Sequence, residues 1–595
     1  MKYICNPINM EYKYQFIEEN GKQSVNREAA DPSMIYFKGI YYIFPSMTAG
    51  FLASDNLADW EFHSLKNLPI YDYAPDVRII GEYMVFSASK AVLNCSFYRT
   101  KDPINGIFEE IEGSFPFWDP NLFEDDDGRV YFYWGCSNDK PIYGVELNPE
   151  SLRTISETVE LIFSDTSVKG YERSGENHIQ PRTLEQIEDM VQEYASQIPN
   201  ATDEILNSLR TVFGNTPFLE GAWMDKHNGK YYLQYSSPGT QYNVYSDGVY
   251  VSDNPLGPFE LAKNNPYSYK PGGFISGAGH GSTMEDRHGN LWHTSTMAIS
   301  VNHQFERRLG IWPAGFDSEG ELFCNQRYGD WPMKIEQAKI NPWSNPNWML
   351  LSYSKPAIAS SYEEGKEASK ATDENVCTWW RASYNVSGEW LQVDLLHPCD
   401  VRAIQVNFAD DALAVPLPEG VEYQEVNITR RYIDERQHYT RWILEGSLDG
   451  EEYFIIEDKS SASTDLPHDL IVREDGIKTR YIRCTIKELP HHQKACISGL
   501  RVFGIGEGDL PEKASGIQTE LVSDLDLIVT WDQSDVVGYN VLWGFSPDKL
   551  YHSYMVFGDN TVKIGALIKG QSLYVRVDSF NEKGITEGEV YIVRK

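Results

Sequence analysis

The chain contains no apolar run approaching the roughly 18 residues that would span a bilayer as a helix. Its eight cysteines (Cys5, Cys95, Cys136, Cys324, Cys377, Cys399, Cys484 and Cys496) are scattered, with no Cys-x-x-Cys pair and no zinc spacing. They read as reduced thiols, mostly buried as small hydrophobes, and not as a disulfide framework. Positive charge is scarce: 52 Lys and Arg stand against 87 Asp and Glu, a formal charge of −35. Such a surface repels phosphate backbones and anionic bilayers, so nucleic acid and membrane are not expected partners and a neutral ligand is. The start, Met-Lys-Tyr-Ile-Cys-Asn, lacks the apolar core and small-residue cleavage site of a secretory leader, which makes the cytoplasm the expected compartment.

What the chain does have is aromatic residues (13%, with 37 Tyr and 15 Trp) and frequent Gly and Pro. That composition favours many short strands joined by turns, and 595 residues allow two to four domains, each with its own core. Three stretches align without a gap. They begin at Asp119, Glu220 and His280, and each places an ionisable residue nine positions before a turn glycine (Gly128, Gly229, Gly289) that precedes hydrophobic or aromatic residues. A fourth copy begins at Asp31 with a shorter turn at Gly39, and a fifth hairpin, Val77 to Met84, has Asp76 nearer its glycine. Most hairpins are followed by a second pair of strands with its own refrain, as in Ala53 to Trp60 and Val251 to Phe259. Four strands per unit and five units of roughly 45 residues predict a five-bladed β-propeller that aims carboxylates at a common axis.

One interval is too long. Residues of about 165–216 carry apolar positions at helical spacing from Thr183 to Ser196 and a second short helix from Asp203. Ending just before Glu220, this insertion is expected to form a wall or lid of the pocket, with a packing appendage as the alternative. A Trp/Pro-rich strap (Trp331, Pro332, Pro342, Trp343, Pro346) closes the propeller near residue 350. Alternating apolar residues over 351–508 predict a β-sandwich, and 509–595, with Trp531, Trp543 and Tyr574, a second, smaller one. The fold class is therefore all-β, a propeller followed by two sandwiches.

These motifs resemble the family 43 glycoside hydrolases, five-bladed propellers that cleave arabinosyl, xylosyl or galactosyl linkages with inversion. The resemblance implies that Asp31, in Asp31-Pro32, is the general base, that Glu220, in Glu220-Gly221, is the general acid, and that Asp119 orients the acid and tunes its pKa. Ala74-Pro75-Asp76 is similar to a Trp-Ala-Pro-Asp element, with Tyr73 in place of the Trp. His280 falls in a segment that lies on the axis near a bound ion in several members, and Arg307 matches an arginine that reaches the active site. The middle domain resembles a discoidin-like (coagulation-factor type C) carbohydrate-binding module and the last resembles fibronectin type III. The discoidin pattern closes with a Glu that helps bind structural calcium. Here that place reads Ile497-Ser-Gly499-Leu, while Asp373 and Thr378 remain.

Inverting hydrolysis needs one carboxylic acid to protonate the leaving oxygen and one carboxylate to activate water across the ring. Asp31, backed by Pro32, suits the base, and Glu220 must hold its proton, helped by burial beside Trp223 and by the charge of Asp119. Asp76 is either substrate-binding or paired with Arg78. His280 either coordinates an axial ion or positions the acids. Arg307 or Arg308 is expected to pair with Asp119. Phe44, Trp118, Trp223, Gln241 and Tyr242 are candidate sugar contacts because they flank the acids, and Gly175 to His178 a candidate pocket edge. The chemistry needs no cofactor, and a structural calcium is the one further ion the resemblance allows. The expected activity is that of an exo-acting, inverting β-D-xylosidase or α-L-arabinofuranosidase on plant-cell-wall oligosaccharides. A β-galactosidase and a non-catalytic sugar-binding protein are the alternatives; a retaining fructan hydrolase would want Asn-Asp-Pro-Asn-Gly, Arg-Asp-Pro and Glu-Cys where Ala-Asp-Pro, Trp-Asp-Pro and Glu-Gly stand. The register of acids is complete before Pro332, so residues 1 to about 350 are expected to keep the chemistry, with the downstream domains as braces and, for the discoidin-like one, a sugar-binding unit as the alternative.

Overall fold

Alternating burial along short segments, punctuated by glycines at positive φ, folds the first half of the chain into consecutive hairpins. The computed structural model describes all residues except 1, 20, 66–67, 69–72, 91–92, 179–181, 199–200, 336–337, 427–428 and 595. Five sheets each take four consecutive strands: blade 1 from Ala30–Phe37 to Glu61–Ser64, blade 2 from Asp76–Ile80 to Glu109–Ile111, blade 3 from Asn121–Glu124 to Val159–Ile162, blade 4 from Glu220–His227 to Glu260–Leu261, and blade 5 from Ser276–Glu285 to Leu322–Cys324. The first strands of successive blades touch one another all the way round, blade 5 returning to blade 1. The first strands therefore form the inner ring of a five-bladed propeller. Next to that closure, Lys2–Ile4 pairs with Met333–Ile335, and Ile4, Met34, Met284, Trp292 and Ile335 share one core.

One position of the repeat clasps a blade to its neighbour at four of the five joints. Ser33 Oγ accepts from Val77 N (2.9 Å), Asp76 Oδ2 from Leu122 N (2.7 Å), Asn121 Oδ1 from Met224 N (2.8 Å) and Ser282 Oγ from Met34 N (2.9 Å). A short polar side chain thus satisfies a buried amide at the blade joint, where leaving it unpaired would be costly.

The over-long interval is helical. α1 (Leu184–Ala195) begins at a Thr183–Gln186 capping box, and α2 (Asp203–Phe213) is capped by Thr202, one residue before the expected Asp203. Tyr194 of α1 donates to Glu19 Oε1 at 3.1 Å on the N-terminal hairpin, and Glu19 also faces His303 of a blade 5 loop (3.6 Å). In the preceding stretch Gly175 to His178, a candidate pocket edge, Asn177 exchanges hydrogen bonds with Asn243 of the propeller (2.9 and 2.8 Å), His178 meets Tyr269 (3.1 Å) and Asn177 also accepts from Tyr554 of the last domain (2.8 Å).

An eight-stranded sheet running from Met349–Leu350 to Cys496–Ile505 wraps a separate core that includes Trp380, Leu391, Trp442 and Ile482. The last domain packs a three-stranded sheet against a five-stranded one around Trp531, Tyr539 and Val577. Neither stands apart. Tyr171, Tyr235 and Tyr269 of the propeller share a core with Trp543 and Val575, and Trp331 of the strap meets Phe503 and Phe580. The N-terminal hairpin (Lys13–Glu19, Lys22–Glu28) pairs edge-on with Thr429–Asp434 of the second domain, forming a sheet that joins the two. No helix among the described residues is long and apolar enough to cross a membrane.

The turn linked by resemblance to calcium is closed by its own partners. Asp373 accepts from Thr378 Oγ1 (2.7 Å) and Asn375 N (3.2 Å), and Arg501 holds Glu374 at 2.8 Å. Arg501 thus takes Glu374, and Asp373 and Thr378 are the side chains here that could offer oxygens to a calcium ion.

Candidate active site

The mouth of the inner ring is built from residues in the left-handed region: Asp31 (φ 48°), Ala74 (52°), Asp119 (50°), Gly221 (63°) and His280 (50°). Each backbone N–H is turned toward the preceding blade. Asp31 N donates to Thr296 Oγ1 (2.8 Å), Ala74 N to Ser46 Oγ (2.9 Å), Asp119 N to Ser89 Oγ (3.0 Å) and His280 N to Ser236 Oγ (2.7 Å). A hydroxyl at the end of a second strand thus compensates a backbone conformation that is unfavourable for a side chain. In blade 4 the acceptor is instead the Asp119 carboxylate, which takes Gly221 N at 3.1 Å.

This collar corrects the alignment on turn glycines. Blades 3 and 5 turn through five residues and blades 1 and 4 through two, so counting back from the glycine misses the register. The residue level with Asp31 and His280 is Gly221, and Glu220 precedes it at the bulge. Glu220 accordingly stays half-buried where Asp31 and Asp119 are 4% exposed.

Asp31, Asp119, Glu220 and His280 do converge. The His280 Nδ1 atom lies 3.5 Å from Asp31 Oδ1 and 3.8 Å from Asp119 Oδ2, and carboxylate oxygens of Asp119 and Glu220 lie within 4.8 Å of one another and of Cys136 Sγ. Asp31 accepts from Ser46 Oγ (2.7 Å) and pairs with Arg307 Nη1 (3.1 Å). Burial would raise its carboxyl, yet Arg307, His280 and these hydrogen bonds hold it below the usual carboxylate range. Asp119 has no such cation of its own. Burial, reinforced by Glu220 and Asp31 against the pull of His280, pushes it up to about 7. Burial alone would make His280 less basic, and the surrounding carboxylates reverse this and raise it. Glu220 accepts from Tyr245 OH (2.5 Å) and from Cys136 Sγ (3.3 Å).

Other candidates lie elsewhere. Asp76 is 1% exposed and bonded to Asn121 Nδ2 (2.9 Å) and Leu122 N, so it is a blade clasp and neither a sugar contact nor a partner hydrogen-bonded to Arg78. Arg78 stacks over Trp223 (4.2 Å), which removes Trp223 from Glu220 as its apolar cover and from the sugar contacts. Phe44 is fully buried against Phe51, between blades. Arg307 pairs with Asp31 and with Glu28 (2.5 Å), not with Asp119, and Arg308 reaches His468 of the second domain (2.9 Å). Trp118 is half-buried immediately before Asp119, and Gln241 is exposed on the loop that delivers Tyr245. Tyr242, on that loop, is half-buried against the core shared with the last domain. Sequence reasoning missed Tyr245, Cys136, Glu28 and the hydroxyl collar; the collar had a signal, a Ser or Thr closing the second strand of four blades.

The arrangement keeps one carboxylate, Asp31, paired with a guanidinium, while a second acid, Glu220, shares its surroundings with the raised carboxyl of Asp119. Proteins of known activity share the sequence behind it. A xylosidase/arabinosidase 43A from Humicola insolens is 30% identical over 271 residues, 39% of this chain and 79% of that protein. A xylosidase/arabinosidase from Bacteroides ovatus is 25% identical over 268 residues, covering 39% and 75%. Among solved structures, a thermostable family-43 glycoside hydrolase is 22% identical and is covered whole by 57% of this chain, with a TM-score of 0.40. The sequence profile of the glycosyl hydrolases family 43 matches residues 24–182 and 183–322, half of the chain, from the N-terminal hairpin to the last blade. With propeller, converging acids and profile in agreement, the chain belongs to family 43 of the glycosyl hydrolases.

Proposed function

We propose that the protein removes terminal pentosyl residues, β-D-xylosyl or α-L-arabinofuranosyl, from short plant-cell-wall oligosaccharides, with inversion. Asp31 is the base: it takes a proton from the water that attacks the anomeric carbon. Glu220 is the acid: it gives its proton to the glycosidic oxygen as that bond breaks, so the sugar leaves with opposite anomeric configuration and the carboxyls exchange roles only through solvent. Asp119 and His280 hold the pair in place. The observation that supports this most is the convergence of Asp31, Asp119 and Glu220 around His280, with Arg307 holding Asp31 ionised as a base requires and the Asp119 carboxylate within 4.8 Å of Glu220. The xylosidase and arabinosidase names of the relatives favour pentose over galactose.

The second domain is read as discoidin-like and the third as a fibronectin type III-like brace, the latter supported by its three- and five-stranded sheets. Hydrolysis of nitrophenyl β-xyloside, α-arabinofuranoside and β-galactoside tests the substrate class, with the pentosides expected to be cleaved. Proton NMR of the first-formed sugar tests the stereochemistry. A retained anomer would recast Asp31 as a nucleophile, and exclusive cleavage of the galactoside would overturn the pentose reading.

A further inference from the structure

The second domain reaches the surroundings of the catalytic base. Its strand Thr429–Asp434 lies antiparallel to Lys13–Glu19, with Arg431 opposite Ile17. From there Arg431, fully buried, places Nη1 2.8 Å from Glu28 Oε2 and donates through Nη2 to the Tyr73 hydroxyl. Glu28, also fully buried, passes its other oxygen to Arg307 Nη2 at 2.5 Å, and Arg307 Nη1 reaches Asp31 at 3.1 Å. The order is Asp31 negative, Arg307 positive, Glu28 negative, Arg431 positive. Tyr73 closes the end, and its hydroxyl can accept from a guanidinium where the indole of a Trp, a donor only, cannot.

Without Arg431 the buried Glu28 would have one cation, shared with Asp31. A buried charge that loses a partner draws on whatever counter-charge remains, and here that is Arg307. We propose that Arg431, supplied by the second domain, is a positioning residue for the catalytic base: by neutralising Glu28 it leaves Arg307 to hold Asp31. This rests on the reading of Asp31 as base. It also revises the expectation that residues 1 to about 350 suffice, because the charge chain ends in a strand beyond them.

The test is a double-mutant cycle in the full-length protein. Arg431→Met is expected to lower kcat at least tenfold, as small misplacements of reacting groups do, with KM changed less than about twofold. Adding Glu28→Gln removes the competing charge, so the double variant should recover several-fold over the single one. An unchanged kcat in Arg431→Met, or a double variant no faster than the single, overturns the proposal. Circular dichroism and the thermal midpoint establish folding. Should Arg431→Met not fold, Arg431→Lys keeps the charge on Glu28 and is expected to hold kcat within a few-fold; a tenfold loss in that folded variant refutes the charge argument. A crystal structure of Arg431→Met decides the same point without substrate: Arg307 is expected to have left Asp31 for Glu28, and an unmoved Arg307 refutes the proposal. Wild-type protein that cleaves no glycoside would overturn the functional reading alone, and the crystal structure would still decide this one.

Discussion

Replacing Gly221 by alanine tests the site at its tightest point. The residue lies at φ 63°, and a Cβ there would sit 2.7 Å from Ser236 Oγ and 3.1 Å from the Cγ and Cδ2 atoms of His280. Left-handed backbone costs an alanine about 1–2 kcal/mol, and an extra methyl in a packed site costs about 1–3 kcal/mol. A destabilisation of about 2–5 kcal/mol follows. Neither neighbour is free to retreat, because Ser236 is bonded to Asp247 (2.5 Å) and to His280 N, and the imidazole lies between Asp31 and Asp119. Activity should therefore fall together with stability: displacing the ring disturbs the cation shared by both carboxylates, and the Gly221 N–H bond to Asp119 is strained at the same time. Denaturant unfolding gives the first quantity and kcat on a nitrophenyl pentoside, measured well below the unfolding midpoint, gives the second. A Gly221→Ala protein with wild-type stability and wild-type kcat would refute the claim that the glycine is required by contact with His280.

Glu220→Gln and Asp31→Asn should each lower kcat by roughly 10²–10⁴-fold or more with the fold retained, as expected for a lost proton-transfer partner; wild-type turnover by either removes that residue from the mechanism. Asp119→Asn should be slower but more stable in alkali. The folded pKa of about 7 exceeds the ordinary 3.8, so the native state binds the proton more tightly, and the penalty of the buried charge grows from about pH 4 to 7 and persists above. The variant should accordingly match wild type in stability near pH 4 and exceed it near pH 8 by up to a few kcal/mol, and equal stabilities at both would refute the burial argument. The depressed pKa of Asp31 works the other way, its contribution being present above the ordinary carboxylate value and lost as pH falls through the folded one. Deleting the last domain at about residue 508 should lower the thermal midpoint by on the order of 5 °C or more, since it strips the core shared with Tyr171, Tyr235 and Tyr269, while kcat per folded molecule survives because the Arg431 strand remains.

The propeller and its acids were legible because each depends on residues near in sequence. A turn glycine, a strand and an acid at its head recur within about a dozen positions, and repetition makes such a pattern visible. What failed was whatever depended on the length of a turn or on distant partners. Glu220 counts as level with His280 only if the five-residue turn of blade 5 and the two-residue turn of blade 4 are treated alike. Phe44, Trp223 and Asp76 flank the acids in sequence, but a strand alternates its side chains, and theirs face the joints between blades. Arg431 left no local trace, since 403 residues separate it from Glu28.

The division of labour between the two buried carboxylates follows from where the ring closes. Blade 5 is the last to form in sequence and the neighbour of blade 1 in space, so the strand that begins at Arg307 lies alongside Ala29 and Asp31. The N-terminal hairpin that leads into blade 1 brings Glu28, and the second domain, pairing with that hairpin, brings Arg431. Every one of these charges arrives at the seam between first and last blades. Asp119, in blade 3, is remote from the seam and receives only a backbone amide and the far side of His280. A guanidinium 3.1 Å from Asp31 and absent from Asp119 is enough to separate their pKa values, so the ionised base and the raised carboxyl that neighbours the acid Glu220 follow from the topology of closure and not from any difference between the two aspartates themselves.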